Sequence, residues 1–238
     1  GKPRFLKDSE RVYRRPPVDT CIEFCKKNHI EPKAHCLNFD FFTPEWVQKL
    51  SVKEHKIALE ERTRALAERY AAEIPCWEVI NETLIDNGKT PLYYDKDVVG
   101  WSFDTARKYF PHNELIINEN AKNVYPGYAH NRSQYYMQIE RELARGRRID
   151  GIGFQAHFMF GEEFRQKYAN PAFLDKFFDT YSEFGLPLQL TEVTIPAVFG
   201  VYDGKTFEER TAVDEEKQAA MLGRIYEYYF SLERAEAI

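Results

Sequence analysis

Apolar and polar positions along the chain follow two periods that take turns. Residues 18–28 (VDTCIEFCKKN) repeat at helical spacing, and IEPKAHCL (30–37) follows with the make-up of a strand. Ser51 and Glu54 form an S-x-x-E capping box, which opens a long helix whose Leu59, Thr63, Leu66 and Tyr70 share one face. CWEVINE (76–82) then reads as a buried strand. Val99, Phe103, Ala106 and Phe110 predict a helix near 97–110, leading into the strand ELIINE at 114–119. A helix over 131–145 ends at Gly146, a residue suited to left-handed termination, and DGIGFQAHF (150–158) is the next strand. A helix from Pro171 to Phe184 presents Phe173, Phe177 and Tyr181 and stops at Gly185. LPLQLTEV is a strand, 214–230 a helix, and AEAI the opening of a further strand.

Five strands and the start of a sixth, each separated by a helix, imply an α/β chain with a parallel sheet. A doubly wound sheet normally carries a Gly-rich first turn for a nucleotide phosphate, and none is legible here. A (β/α)8 TIM barrel instead sets its working residues at the C-terminal ends of several strands. Here the strands end in His35, Asn81–Glu82, Asn118–Glu119, Gln155 with His157, and Glu192. The expected fold is therefore a (β/α)8 barrel, incomplete because eight strands are required. No linker, repeat or low-complexity tract divides residues 1–238, so a single domain is expected.

Composition narrows the partners. The 238 residues carry a net charge of -5 and no basic stripe, which argues against nucleic acid. No apolar run approaches the roughly 20 residues that a bilayer span needs, so no membrane partner is expected. No signal peptide opens the sequence at Gly1. Cys21, Cys25, Cys36 and Cys76 form no CxxC pair and are expected to be buried thiols; no metal cluster and no cofactor are indicated. The 18 Phe, 15 Tyr and 3 Trp leave aromatic surface available for stacking on sugars or bases.

Two features carry chemistry. In GIGFQAHF, Gly153, Gln155 and His157 point to one side, and Ile152, Phe154, Ala156 and Phe158 to the other. Glu82 and Glu192 close two different strands and, in a barrel, both project over one mouth. Paired carboxylates of this kind are what glycoside hydrolysis requires. Regular alternation sends Asn81 and Glu82 to opposite faces, so both reach a site only if the strand kinks or bulges there.

These segments resemble glycoside hydrolase family 10, the endo-β-1,4-xylanases, over nearly the whole chain. WEVINETL is similar to the family's W-D-V-V-N-E-A-L, which implies Glu82 as acid/base and Asn81 as a ligand of the sugar 2-hydroxyl. LQLTEVTI resembles the I-T-E-L-D-I segment, implying Glu192 as nucleophile. RRIDGIGFQAHF is similar to I-D-G-I-G-x-Q-x-H, which would set Gln155 and His157 beside that nucleophile. KAHCLNFDFFTPEWV resembles R-G-H-T-L-V-W-H followed by P-x-W, and places His35 in the glycone site. LIINEN resembles L-Y-I-N-D-Y-N and makes Asn118 and Glu119 candidates for the site wall.

The resemblance implies a barrel, a retaining two-carboxylate mechanism, xylan or xylo-oligosaccharide as partner, and a secreted or periplasmic location. Three departures stand out. Phe39 and Asp40 occupy the family's Trp and His positions in the glycone wall, and Thr194 the position of an Asp. By the same likeness, the first two strands and the last fall outside this sequence, which reads as the central part of a catalytic domain truncated at both ends. Two alternatives stay open: a β-glycanase for a different polysaccharide, and a carbohydrate-binding barrel with weak or no turnover.

Overall fold

The computed structural model describes residues 3–7, 10–13, 15–84, 88–124, 132–157, 170–197, 209–233 and 235–237. They fall into two compact units: Gly1–Ile117 with Arg145–Ile149, and Asn118–Ala144 with Asp150–Ile238.

The first unit opens with an antiparallel pair, β1 (Pro3–Lys7) and β2 (Glu10–Tyr13), followed by α1 (Arg15–Lys27). Periodicity does not reveal this pair, because PRFLK and ERVY are too short and too charged to display a period. The strand expected at 30–37 is two short ones, β3 (Lys33–Ala34) and β4 (Asn38–Phe39), and the cis His35–Cys36 peptide lies in the gap. Both run parallel to β5 (Cys76–Asn81), with Ala34 beside Trp77 and Phe39 beside Asn81. The interruption leaves carbonyls that a continuous ladder would have paired. Arg62 supplies donors to the Cys36 and Leu37 oxygens, and the Leu37 amide donates to the Glu78 carbonyl at 2.8 Å.

Arg62 belongs to α3 (Val52–Tyr70), which follows the short α2 (Glu45–Gln48). The capping box forms as expected: Ser51 Oγ accepts from the Glu54 amide and Glu54 accepts from the Ser51 amide. His55, Thr63, Leu66 and Tyr70 make the buried stripe, with Leu59 half-buried. α4 (Val98–Tyr109) buries Val99, Phe103 and Ala106, and Phe110 just beyond it stacks 4.6 Å from Trp77. β6 (Glu114–Glu119) lies next to β5 and carries its last two residues into the second unit.

In the second unit β7 (Gly151–His157), β8 (Leu188–Thr194) and β9 (Ala235–Ala237) run parallel in that order. The helices are the short α5 (Ala121–Val124), α6 (Gln134–Ala144), α7 (Pro171–Ser182) and α8 (Ala212–Phe230). Gly146 and Gly185 take the positive φ that ends a helix in the left-handed region, at +78° and +68°. One face of β7 is packed by aromatics: Phe154 meets Tyr181 at 4.8 Å and Phe177 at 5.0 Å, both edge-on. Burying a ring of this size stabilises by about 2–3 kcal/mol, and edge-to-face pairs add to it. Phe158, expected on the same face, lies outside the described residues, as does the start of the helix expected at 131. No helix among the described residues is long and apolar enough to cross a membrane.

Candidate active site

The first unit gathers its candidates where β4 and β5 end. Glu78 is 1% exposed, in the middle of a strand otherwise made of apolar residues and one Asn. An ionised carboxylate there is costly without partners, and His35 Nδ1 at 2.6 Å and Lys33 Nζ at 3.1 Å supply them. Contact with the Cys36 thiol and the bond to Glu78 push His35 up to about 10. The thiol is 3.9 Å from the ring, a weak partner, so the buried carboxylate is the physical source. His35 is therefore an imidazolium at neutral pH, anchored from behind, with its ring set edge-on to Phe39 at 5.9 Å between centroids.

Phe39 is half-buried and continues through Phe42 (5.3 Å) to Phe41, so the aromatic surface runs outward to two exposed rings. Asp40 turns inward instead. It accepts from the Thr90 hydroxyl at 2.5 Å and from the Lys89 amide, and is buried among them. Its carboxylate anchors the 88–90 loop.

Asn81 is fully buried at the end of β5, and its carbonyl accepts from the Tyr93 hydroxyl. Glu82 follows with φ +53°, a left-handed conformation in a non-glycine residue. The expected kink is present. Strand alternation stops at Asn81, and the direction of the Glu82 side chain is freed from the two-residue period. Holding such a residue costs on the order of 1 kcal/mol or more, which singles the position out.

The second unit builds its part around Glu192. The register pairs Phe154 with Leu190 but Gln155 with Glu192, so Thr191 is an extra residue in β8. Without that bulge Glu192 would share the face of Leu188 and Leu190, which pair with Ile152 and Phe154 on the aromatic side. The bulge shifts the phase, and Glu192 and Thr194 come to lie beside Gln155 and His157. Both carboxylate oxygens then find donors: Asn118 Nδ2 reaches Oε1 at 3.2 Å, and His157 Nε2 reaches Oε2 at 3.0 Å. Behind these donors stand two threonines, Thr191 Oγ1 2.6 Å from Asn118 Oδ1 and Thr194 Oγ1 2.8 Å from His157 Nδ1. Gln155 is buried beside Glu192, as expected of a neighbour to it.

Glu119 is also buried, and its Oε1 accepts from the Asn120 amide at 2.7 Å and Asn123 Nδ2 at 3.2 Å, which fixes the turn into α5. Sequence reasoning missed Glu78, Lys33 and Thr191. For Glu78 a signal existed, a charge in mid-strand with apolar residues on both sides; for Thr191 none did.

Residues 1–234 match the family model for glycosyl hydrolase family 10. A beta-1,4-xylanase of Dictyoglomus thermophilum is 25% identical over 224 residues, 91% of this chain and 60% of that protein. Endo-1,4-beta-xylanase A of Caldicellulosiruptor saccharolyticus is 29% identical over 239 residues, 94% of this chain and 66% of that one. The chain thus spans about three-fifths to two-thirds of the length of these relatives. Among solved structures, a GH10 protein from Paenibacillus barcinonensis superposes with a TM-score of 0.79 at 18% identity, covering 98% of this chain and 70% of that one. Xylanase 10C from Cellvibrio japonicus gives 0.78 at 19% identity, covering 95% and 50%. At such identities the likeness speaks to the fold alone, and that fold is the (β/α)8 barrel.

Proposed function

The chain belongs to glycosyl hydrolase family 10, and from that membership we propose that it is a retaining, endo-acting hydrolase of β-1,4-xylosidic bonds. Glu192 attacks the anomeric carbon while Glu82 gives its proton to the departing glycosidic oxygen. Glu82 then takes a proton from water, whose oxygen displaces Glu192 and releases the sugar with its configuration kept. Two inversions at one carbon demand carboxyl groups about 5–5.5 Å apart. Two carboxylates and water supply the whole reaction, which calls for no cofactor.

The observation that carries this reading is the hold on Glu192. A strand bulge turns it to the face of Gln155 and His157, and Asn118 and His157 each donate to one of its oxygens. A nucleophile needs this fixed, doubly supported aim. His35, Phe39 and Asn81 are proposed to bind the sugar on the glycone side, with Gln155 beside the nucleophile. Asp40 and Glu119 support that wall through the loops they anchor. Residues 1–238 act in this reading as the central part of one catalytic domain on xylan or xylo-oligosaccharides. Because polymeric xylan does not cross membranes, a secreted or periplasmic location follows.

An activated 2-fluoro-xylobioside tests the proposal. The expected result is a protein mass increased by one covalent xylobiosyl group, mapped to the peptide containing Glu192 and missing in Glu192→Gln. Xylo-oligosaccharide binding with no adduct and no turnover would instead support a binding barrel.

A further inference from the structure

Glu192 is flanked in its own strand by two threonines, and each touches the far end of the side chain that holds one carboxylate oxygen. We propose that Thr191 and Thr194 are positioning residues: their hydroxyls set the amide orientation of Asn118 and the tautomer of His157, so that both donors are aimed at Glu192. The inference deepens the proposed function and rests on the reading of Glu192 as nucleophile.

The argument is one of donors and acceptors. A carboxylate only accepts, so the atom facing Oε2 at 3.0 Å must be an Nε2–H. In a neutral ring Nδ1 then carries a lone pair, and the group 2.8 Å from it must donate. A threonine hydroxyl does so without bringing charge. A carboxylate in its place would accept from Nδ1–H, which makes the ring an imidazolium and sets a full positive charge on the nucleophile. Asn118 obeys the same logic. Thr191 donates to Oδ1 at 2.6 Å, which leaves Nδ2 to face Glu192 Oε1 rather than the reverse. Among the groups that these bonds join, Glu192 carries charge, and Asn118, Thr191 and Thr194 are neutral. The result is a carboxylate fixed in direction by both of these donors.

The ring is read directly on the resting protein. With all six histidines labelled with nitrogen-15, and His157 assigned by the signals lost in His157→Asn, the neutral Nε2–H tautomer is expected at pH 7. Thr194→Val should release the ring into a tautomer mixture and lower kcat roughly tenfold, the scale of one hydrogen bond, with KM little changed. Thr194→Ser should restore both. Thr191→Val and Thr191→Ser should repeat the kinetic pattern with the His157 tautomer unmoved. Thr194→Asp should turn His157 into an imidazolium at pH 7. A wild-type ring in the Nδ1–H or doubly protonated form overturns the inference, as does a Thr194→Val protein that keeps both tautomer and kcat. If the wild-type chain shows the expected tautomer but neither turnover nor adduct, the hydrolase reading fails while the role of Thr194 in setting the ring stands.

Discussion

Glu82 holds a backbone conformation that a side chain resists. At φ +53° its Cβ crowds the following carbonyl, and glycine escapes that crowding. Comparing two truncations isolates the effect, since both lack the carboxylate and differ by one methyl group. Glu82→Gly is expected to be more stable than Glu82→Ala by about 1 kcal/mol, measured by denaturant unfolding. Equal stabilities would mean that the left-handed turn relaxes without cost. Both variants should share a kinetic signature. A general acid matters when the leaving oxygen is a poor leaving group, so xylo-oligosaccharides should slow about 100-fold or more, whereas activated aryl xylosides lose far less in the glycosylation step. Equal losses on both substrates would remove Glu82 from the acid role. In the proposed role, a strained residue carrying the acid is how a fold trades stability for function.

At the level of elements, the support for this site is local and can be tested locally. Ser51 and Glu54 close the first turn of α3, and α3 brings Arg62 to the carbonyls beside His35. Ser51→Ala should cost about 1 kcal/mol, seen as a lower urea midpoint with an unchanged slope; no shift would mean that water caps the helix as well. Such elements were legible because their signals are short-range. The spacing of Val99, Phe103, Ala106 and Phe110 announced the buried face of α4, and each is at most 2% exposed. The site was legible in its chemistry but not in its aim. Alternation places Glu192 with Leu190, and it is the ladder with β7 that inserts Thr191 and reverses the phase. Nor could alternation show that Asp40 turns inward to Thr90, 50 positions away, or that Glu78 finds His35 across 43. Partners so distant in sequence are set by packing, which no period records.

Across the whole molecule, two buried groups and the partly exposed His35, whose side chain is 40% accessible, bend the pH dependence of stability in opposite directions. Burial drives His55 from its ordinary 6.5 down to about 4, against a smaller opposing pull from Asp40. Its neutral form therefore stabilises the fold fully above pH 6.5, and the contribution is lost as pH falls from 6.5 towards 4, because the unfolded chain takes up the proton first. His35 runs the other way. Raised from 6.5 to about 10, chiefly through its bond to Glu78, it contributes fully below 6.5 and loses that contribution as pH climbs to 10. Burial and a bond to Glu183 lift Tyr136 from 10 to about 12, which extends the alkaline decline above pH 10. The melting temperature should thus peak near pH 6.5, with separable arms. His55→Leu should flatten the acid arm between pH 4 and 6.5 while the alkaline arm stays. His35→Gln should flatten the stretch from 6.5 to 10 and leave the acid arm in place. Carboxylates held low by their partners, Glu54 by Ser51 and Asp95 by Lys56, lose their contribution as pH falls through their ordinary values of 4.5 and 3.8, so the His55 arm is read in the upper part of its window. Melting curves across pH 3–11 for the three proteins decide the matter: an acid arm unchanged in His55→Leu, or an alkaline arm unchanged in His35→Gln, would show that the named histidine is not its source.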